Sequence, residues 1–234
     1  MIRKVSVVLV FNFLLLARLF GQTILEDPNV EVRLVSSSFS SIKIQGNLEV
    51  WLSQDAVESV AVSSDDVLDI PAIKTEVVDG VLVISGGRSK MKNRGRAYIS
   101  FKTLEKLELS GLIRVDVSGS VQQSKLALSV SGVSEFSGSV ALNNLSLDAS
   151  GVSKIRLAGK VENVSVISSG TSKVDARDLQ AERATVVASG TAAVEISVSK
   201  ELTVTASGSA KISYQGNPLV HQNLSGVSKL EKKG

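Results

Sequence analysis

The chain has 234 residues, of which 43% are hydrophobic and only 4% aromatic, so its core must consist mainly of aliphatic side chains. The absence of cysteine excludes disulfides, thiolate metal sites and a cysteine nucleophile, and the single histidine, His221, excludes a metal site with several histidine ligands. The formal charge of +3 would favour an anionic partner, depending on where the charges lie.

The first 21 residues have the pattern of a secretory signal peptide. Arg3 and Lys4 precede an apolar stretch from Val5 to Leu16, and cleavage is predicted after Gly21. The apolar stretch is short for a membrane span, and an uncleaved anchor is the alternative. Removing residues 1–21 lowers the basic count from 26 to 23, equal to the 23 acidic residues. The mature chain is therefore predicted to be exported and neutral, with no transmembrane span and no nucleic-acid partner.

Residues 22–103 are predicted to form irregular first coils and a cap. Apolar residues alternate through 48–53, and the Asp79-Gly80 pair predicts a hairpin turn before a strand at 81–85. Residues 65–72 are predicted to form a helical turn or an irregular crossing. A glycine-flanked loop then carries five basic residues and no acid, namely Arg88, Lys90, Lys92, Arg94 and Arg96.

Residues 104–234 contain an internal repeat. Ser-Gly pairs recur every 18 to 21 residues, with their glycines at Gly111, Gly132, Gly151, Gly170, Gly190, Gly208 and Gly226. An apolar residue stands four positions after each glycine, at Val115, Phe136, Ile155, Val174, Val194, Ile212 and Leu230. Apolar residues alternate on both sides of each pair, which indicates short strands with one buried face.

A repeat of this length cannot enclose a core alone, whereas stacked repeats can. The sequence therefore predicts an all-β fold, a β-solenoid in the form of a right-handed parallel β-helix with 18–21-residue coils, as one domain over residues 22–234. An antiparallel sandwich or barrel would explain the density of strands but not the recurrence of residue types in register. A propeller is disfavoured because its blades need about 40 residues or more.

Three segments, in this order, resemble the bacterial family described as the putative auto-transporter adhesin, head GIN domain. They are Phe39–Gly46, Thr75–Ile84 and Leu104–Gly111. The resemblance implies a β-helical protein of the cell envelope, called an adhesin by inference, and brings no catalytic residues. The family repeat often ends in an acidic residue where this chain has mostly basic ones, so cation binding along the repeat is not expected.

Two basic features are candidate binding sites for anions or glycans. The first is a row of lysines, each three residues after a Ser-Gly glycine, which we call the basic ladder: Lys154, Lys173, Lys211 and Lys229. An acidic polysaccharide would relieve their repulsion, although a solvated edge that discourages aggregation is the favoured interpretation. The second is the basic loop described above, which would suit lipid phosphate or other envelope anions unless it is simply an exposed loop.

The sequence predicts a non-enzymatic exported protein, an adhesin or surface-binding module whose partner is an envelope or host glycan or a surface protein. No cofactor and no metal site are predicted. The enzyme alternative is a polysaccharide lyase or glycosidase, but such sites need clustered carboxylates. The carboxylates of the repeat are scattered over separate copies, at Asp148, Asp175, Asp178 and Glu195. A structural periplasmic protein is the third alternative.

Overall fold

The computed structural model describes residues 14, 18, 24, 26–27, 29–86 and 93–233. Apart from Leu14 and Arg18, the predicted signal peptide and its cleavage site lie outside the described residues. So do Arg88, Lys90 and Lys92 of the basic loop. Within the described part of the chain, no helix has the length and hydropathy that crossing a membrane requires.

The structure is all-β, as the alternating apolar pattern predicts. In chain order the strands of the described residues are β1 (Glu31–Arg33), β2 (Ser41–Gln54), β3 (Ser59–Ser63), β4 (Ile73–Val78), β5 (Val81–Gly86), β6 (Gly95–Phe101), β7 (Lys106–Ala149), β8 (Val152–Ser168), β9 (Lys173–Ala188), β10 (Ala193–Ala206), β11 (Lys211–Gln215), β12 (Leu219–Leu224) and β13 (Lys229–Lys232). Hydrogen bonds join them into one large, mostly parallel sheet.

The chain divides into two compact units. Unit 1 comprises Met1–Leu104 and Leu112–Gly119, and unit 2 comprises Glu105–Gly111 and Ser120–Gly234. The long strand β7 contributes residues to both units.

Unit 1 combines parallel and antiparallel pairs. Strand β2 pairs in parallel with β5 and β6, whereas β1 with β3, β3 with β6, and β4 with β5 are antiparallel. The β4–β5 hairpin turns at Asp79-Gly80, both with positive φ, as this dipeptide predicts. A 3₁₀ helix at Val67–Ala72 occupies the predicted irregular crossing.

The strand pairs of unit 2 are parallel and join residues 17 to 20 positions apart in the chain. Strand β8 pairs with β7 and β9, and β10 pairs with β9, β11 and β12. Equivalent residues of the sequence repeat therefore face one another from strand to strand. One aligned row of apolar residues consists of Phe136, Ile155, Val174, Val194, Ile212 and Leu230. All of these except Leu230 are buried, so the row forms part of the core.

The Ser-Gly corners pack backbone against backbone. At Gly132, φ is +76°, and an added Cβ atom would lie 2.5 Å from the carbonyl oxygen of Gly111. Ser131 Oγ donates a hydrogen bond of 3.0 Å to the carbonyl oxygen of Leu109, 22 residues earlier. The corner thus needs glycine both for its left-handed backbone and for the space that a side chain would fill.

We expect Gly132→Ala to destabilise the protein by about 2–5 kcal/mol, because left-handed strain and overpacking add together. Gly119→Ala is the matched control: its φ is +75°, but nothing lies within 4 Å of an added Cβ atom. It should cost only the conformational strain, about 1–2 kcal/mol. Urea unfolding followed by circular dichroism measures both. Equal losses of stability in the two variants would show that the close approach of the Gly111 carbonyl oxygen adds nothing to the destabilisation by Gly132→Ala.

Candidate functional site

The structure aligns the lysines of the basic ladder. Lys154 of β8 is directly opposite Lys173 of β9, and Lys211 of β11 is opposite Lys229 of β13. Ala193 interrupts the row between Lys173 and Lys211. Like charges at neighbouring positions repel each other, so the surroundings decide whether this row attracts an anion.

Beside the basic ladder, two residues further along each strand, lies a row of five residues: Arg156, Asp175, Glu195, Ser213 and Glu231. We call its three acidic members the acidic column. Residues two positions apart on a strand point to the same face, so the two rows are neighbours. Lys211 Nζ lies 3.6 Å from Glu231 Oε2, and Lys233 Nζ lies 3.2 Å from Glu195 Oε2. The acidic column therefore offsets the charge of Lys211 in the ladder and of the neighbouring Lys233.

Arg177 adds a further positive group to the acidic column. Its guanidinium lies 2.7 Å from Asp175 Oδ2 and 3.3 Å from Glu195 Oε2. The hydrogen bond from Arg177 lowers the pKa of Asp175 against the opposing effect of partial burial. These exposed ion pairs contribute little stability, but they mix positive and negative charge on one face.

Neutralising the acidic column should convert this face into an anion-binding surface. We expect the triple variant Asp175→Asn, Glu195→Gln, Glu231→Gln to elute from a heparin column at higher salt than the wild type, since Lys211, Lys233 and Arg177 lose their acidic partners. The control variant Glu58→Gln, Glu76→Gln, Asp148→Asn makes the same change in net charge elsewhere and should be retained less. Equal retention of the wild type and the triple variant would contradict the offset described above.

Of the five basic residues of the basic loop, Arg94 and Arg96 lie within the described residues, and both are half-buried. Arg96 is engaged inside unit 1: its Nε atom lies 2.9 Å from Asp27 Oδ2, and its Nη2 atom lies 2.7 Å from Asp65 Oδ1. Burial lowers the pKa of Arg96, but the hydrogen bond to Asp65 and the charges of both aspartates outweigh it and leave that pKa raised. Arg96 thus has an internal structural role.

A buried polar cluster surrounds Asp27, whose side chain is only 3% exposed. Besides Arg96, its carboxylate accepts hydrogen bonds from Tyr98 OH at 2.8 Å and from Ser63 Oγ. The ring of Tyr98 stacks on Trp51, with 5.0 Å between the ring centroids. Tyr98 is fully buried in a cluster with Ile24 and Ala61, so these contacts hold the side chains of Ile24 and Asp27 inside unit 1.

The Tyr98 hydroxyl should make stability depend on alkaline pH. Burial, and next the hydrogen bond to Asp27, raise the pKa of Tyr98 above the ordinary 10.0. The unfolded chain therefore loses this proton first, so stability falls as pH rises above about 10 and is retained below it. Tyr98→Phe should cost about 1.5–3 kcal/mol at neutral pH, the range for hydrogen bonds to charged groups.

Urea unfolding of the wild type and Tyr98→Phe at pH 9 and pH 11 isolates this effect from the titration of lysines, which both proteins share. The wild type should lose more stability than the variant over that interval. A parallel loss in the two proteins would show that the proton on Tyr98 is not coupled to folding.

Unit 2 carries a groove of about 920 Å³ on its outer face, across strands β7 to β10 and the turn after β11. Its base is a row of buried residues at equivalent positions, Leu142, Val161, Ala181 and Val198. Polar side chains border this row, among them Asn143, Lys160, Glu162, Gln180, Glu182, Ser199 and Asn217. We call this feature the unit 2 groove.

Hydrogen bonds between strands order several of the polar side chains. Asn143 Nδ2 donates to Glu162 Oε1 at 2.9 Å, and Lys200 Nζ donates to Glu182 Oε2 at 2.6 Å. The bond from Lys200 lowers the pKa of Glu182, which keeps this carboxylate ionised. The groove thus presents amides, hydroxyls and charged groups in fixed positions along neighbouring strands.

The described residues contain no group of three or more histidines, aspartates, glutamates or cysteines that could hold a metal ion. His221 is exposed on β12, and its Nε2 atom lies 4.0 Å from Glu201 Oε1. Sequence reasoning did not identify the unit 2 groove or the cluster at Asp27. Neither has a local motif, since each joins residues that are distant in the chain.

Comparison with known proteins identifies the family. Residues 38–218 match the family model described as "Putative auto-transporter adhesin, head GIN domain", so the chain belongs to this family, as its three characteristic segments predict. No protein among the curated ones matches the chain.

Solved structures from three bacteria share the fold. A putative adhesin from Bacteroides fragilis NCTC 9343 is 19% identical, with a TM-score of 0.80 over 88% of this chain and 98% of that chain. A putative adhesin from Parabacteroides merdae ATCC 43184 is 18% identical, with a TM-score of 0.70 over 88% and 97%. A putative lipid binding protein from Parabacteroides distasonis ATCC 8503 is 21% identical, with a TM-score of 0.66 over 88% and 98%.

Proposed function

We propose that this chain is an exported, non-enzymatic protein that binds molecules at the bacterial cell surface through the outer face of unit 2. Its family and two of the structural neighbours are described as putative adhesins. The observation that carries the proposal is the unit 2 groove, which is a continuous concave surface with ordered polar side chains. Export is supported by the signal-peptide pattern of residues 1–21.

In this proposal the parallel strands form a right-handed β-helix. Parallel pairing at a chain separation of 17 to 20 residues supports successive coils. Connections between parallel strands are right-handed in about 98% of cases, which supports the handedness. Residues 22–234 then form one domain whose first coils, over 22–103, are irregular and act as a cap.

The geometry does not favour the enzyme alternative. A lyase or glycosidase needs carboxylates held close together in an accessible cleft. Asp175 and Glu195 are bound to Arg177 outside the groove, and the groove carboxylates Glu162 and Glu182 are bound to Asn143 and Lys200. A binding surface is the function that these contacts support best.

Lipid binding is a second candidate function. Four aliphatic side chains of unit 2 are exposed in two directly paired sets, Val133 with Val152 and Ile167 with Val187. Exposed apolar patches of soluble proteins often mark binding surfaces. Binding to phospholipid vesicles that is lost on changing Val133 and Val152 to serine would favour this candidate.

We expect the full chain, expressed in a bacterial host with a tag at its carboxyl end, to be cleaved after Gly21 and to leave the cytoplasm. The purified product should bind bacterial or host cells and degrade none of their polysaccharides. Mass spectrometry, compartment fractionation and a cell-binding assay measure these outcomes. A product confined to the periplasm that binds no cell would support a structural role instead, and release of oligosaccharides from an acidic glycan would support an enzyme.

A further inference from the structure

We propose that the unit 2 groove binds an extended, uncharged polysaccharide that lies across the strands. This inference rests on the proposed surface-binding function and assigns it a site and a class of ligand. Three properties of the groove carry it: the repeat distance of its side chains, their hydrogen-bonding chemistry and their charge.

The repeat distance suits a polymer of sugars. The groove crosses four paired strands and the turn after β11, so it extends about 19 Å at the usual spacing of about 4.8 Å between strands. A hexose in an extended polysaccharide advances that chain by a similar length. Each successive sugar would therefore meet the same position on the next strand, and several weak contacts would act together.

The chemistry of the borders suits hydroxyl groups. Asn143, Gln180 and Asn217 carry amides, each with an acceptor oxygen and two donor hydrogens. Ser197 and Ser199 add hydroxyls, which donate and accept. Sugar hydroxyls also donate and accept, so these side chains can pair with them. The aliphatic base, with Leu142 and Val161, offers contact to the C–H faces of the sugars.

The charge of the groove disfavours an acidic polysaccharide. Lys160 is the one basic residue of the groove lining within the described residues, and Glu162 and Glu182 stand beside it. Glu182 is paired with Lys200 and Arg183, so its charge is offset and the lining has no excess of positive charge to attract a carboxylate or sulfate. The basic ladder, the alternative site for such a ligand, lies next to the acidic column.

A peptide strand is also disfavoured. Peptides that extend a sheet bind to unpaired backbone groups at an edge. Along the base of the groove, Leu142, Val161, Ala181 and Val198 are already paired with one another from strand to strand. Recognition in the groove must therefore come from side chains, which fits a ligand rich in hydroxyl groups.

The test measures binding of the full chain to soluble dextran, linear β-glucan and mannan, which are neutral, and to polygalacturonate, which is acidic. Isothermal titration calorimetry at low and high sodium chloride separates the two classes, because salt weakens exposed charge pairs and leaves neutral hydrogen bonds largely unchanged. We expect at least one neutral polysaccharide to bind with an affinity that salt does not alter, and polygalacturonate to bind weakly or not at all.

Variants locate the site. Asn143→Ala and Gln180→Ala should each weaken binding of the neutral polysaccharide about threefold to tenfold, which corresponds to the loss of one net hydrogen bond. Asn223→Ala is the matched control, since Asn223 is an exposed asparagine on β12 outside the groove lining. It should bind like the wild type. All three side chains are exposed, so the fold should tolerate the changes.

The inference is overturned if no neutral polysaccharide binds, if polygalacturonate binds more tightly in a salt-dependent manner, or if the groove variants bind like the wild type. Cell binding that persists in any of these cases would leave the proposed surface-binding function intact. Conversely, a wild-type chain that binds a neutral polysaccharide through Asn143 and Gln180 but binds no cell would support the groove as a glycan site and contradict adhesion.

Discussion

The parallel hydrogen-bond register of unit 2 is the constraint on which the rest of that unit depends. Because strands pair 17 to 20 residues apart, the positions of one repeat lie opposite their equivalents in the next, except at three register shifts. Equivalent side chains of successive repeats are therefore buried or exposed together, as whole rows. The row from Phe136 to Ile212 is apolar throughout and aliphatic after Phe136, so each side chain covers its neighbours above and below with little aromatic bulk.

The same register has a cost at the surface, since it also aligns charges. Lys154 and Lys173 face each other because the repeat places lysine at the same position in both copies. Two residues further along, β8 carries Arg156 and β9 carries Asp175, and Asp175 and Glu195 form ion pairs with Arg177. This face therefore mixes positive and negative groups without cancelling the ladder.

Much of the fold could be predicted from sequence because its causes are local and periodic. The Ser-Gly spacing, the alternation of apolar residues and the Asp79-Gly80 turn each specify backbone geometry within a few residues. The contacts of Asp27 could not be predicted in this way, since its partners Arg96 and Tyr98 lie 69 and 71 residues away. No pattern near Asp27 indicates that its carboxylate is buried.

The candidate site could be predicted only in part for the same reason. The basic ladder follows directly from the repeat, and its alignment in space agrees with the sequence pattern. The groove depends on which strand supplies each polar side chain: Asn143 directly follows the base residue of β7, whereas Gln180 directly precedes that of β9. Their proximity comes from the register, which the sequence expresses only through the whole fold.

The repeats differ in length, and the structure accommodates the difference at particular places. The strand register shifts between Arg156 and Ala158, between Ile196 and Ser197, and between Val198 and Glu201. These positions adjoin the parts of β8 and β10 that line the unit 2 groove. Residues can therefore be gained or lost beside the groove while the buried rows stay aligned. Insertion and deletion at one wall can therefore change the outline of the groove while the interior of unit 2 stays almost unchanged.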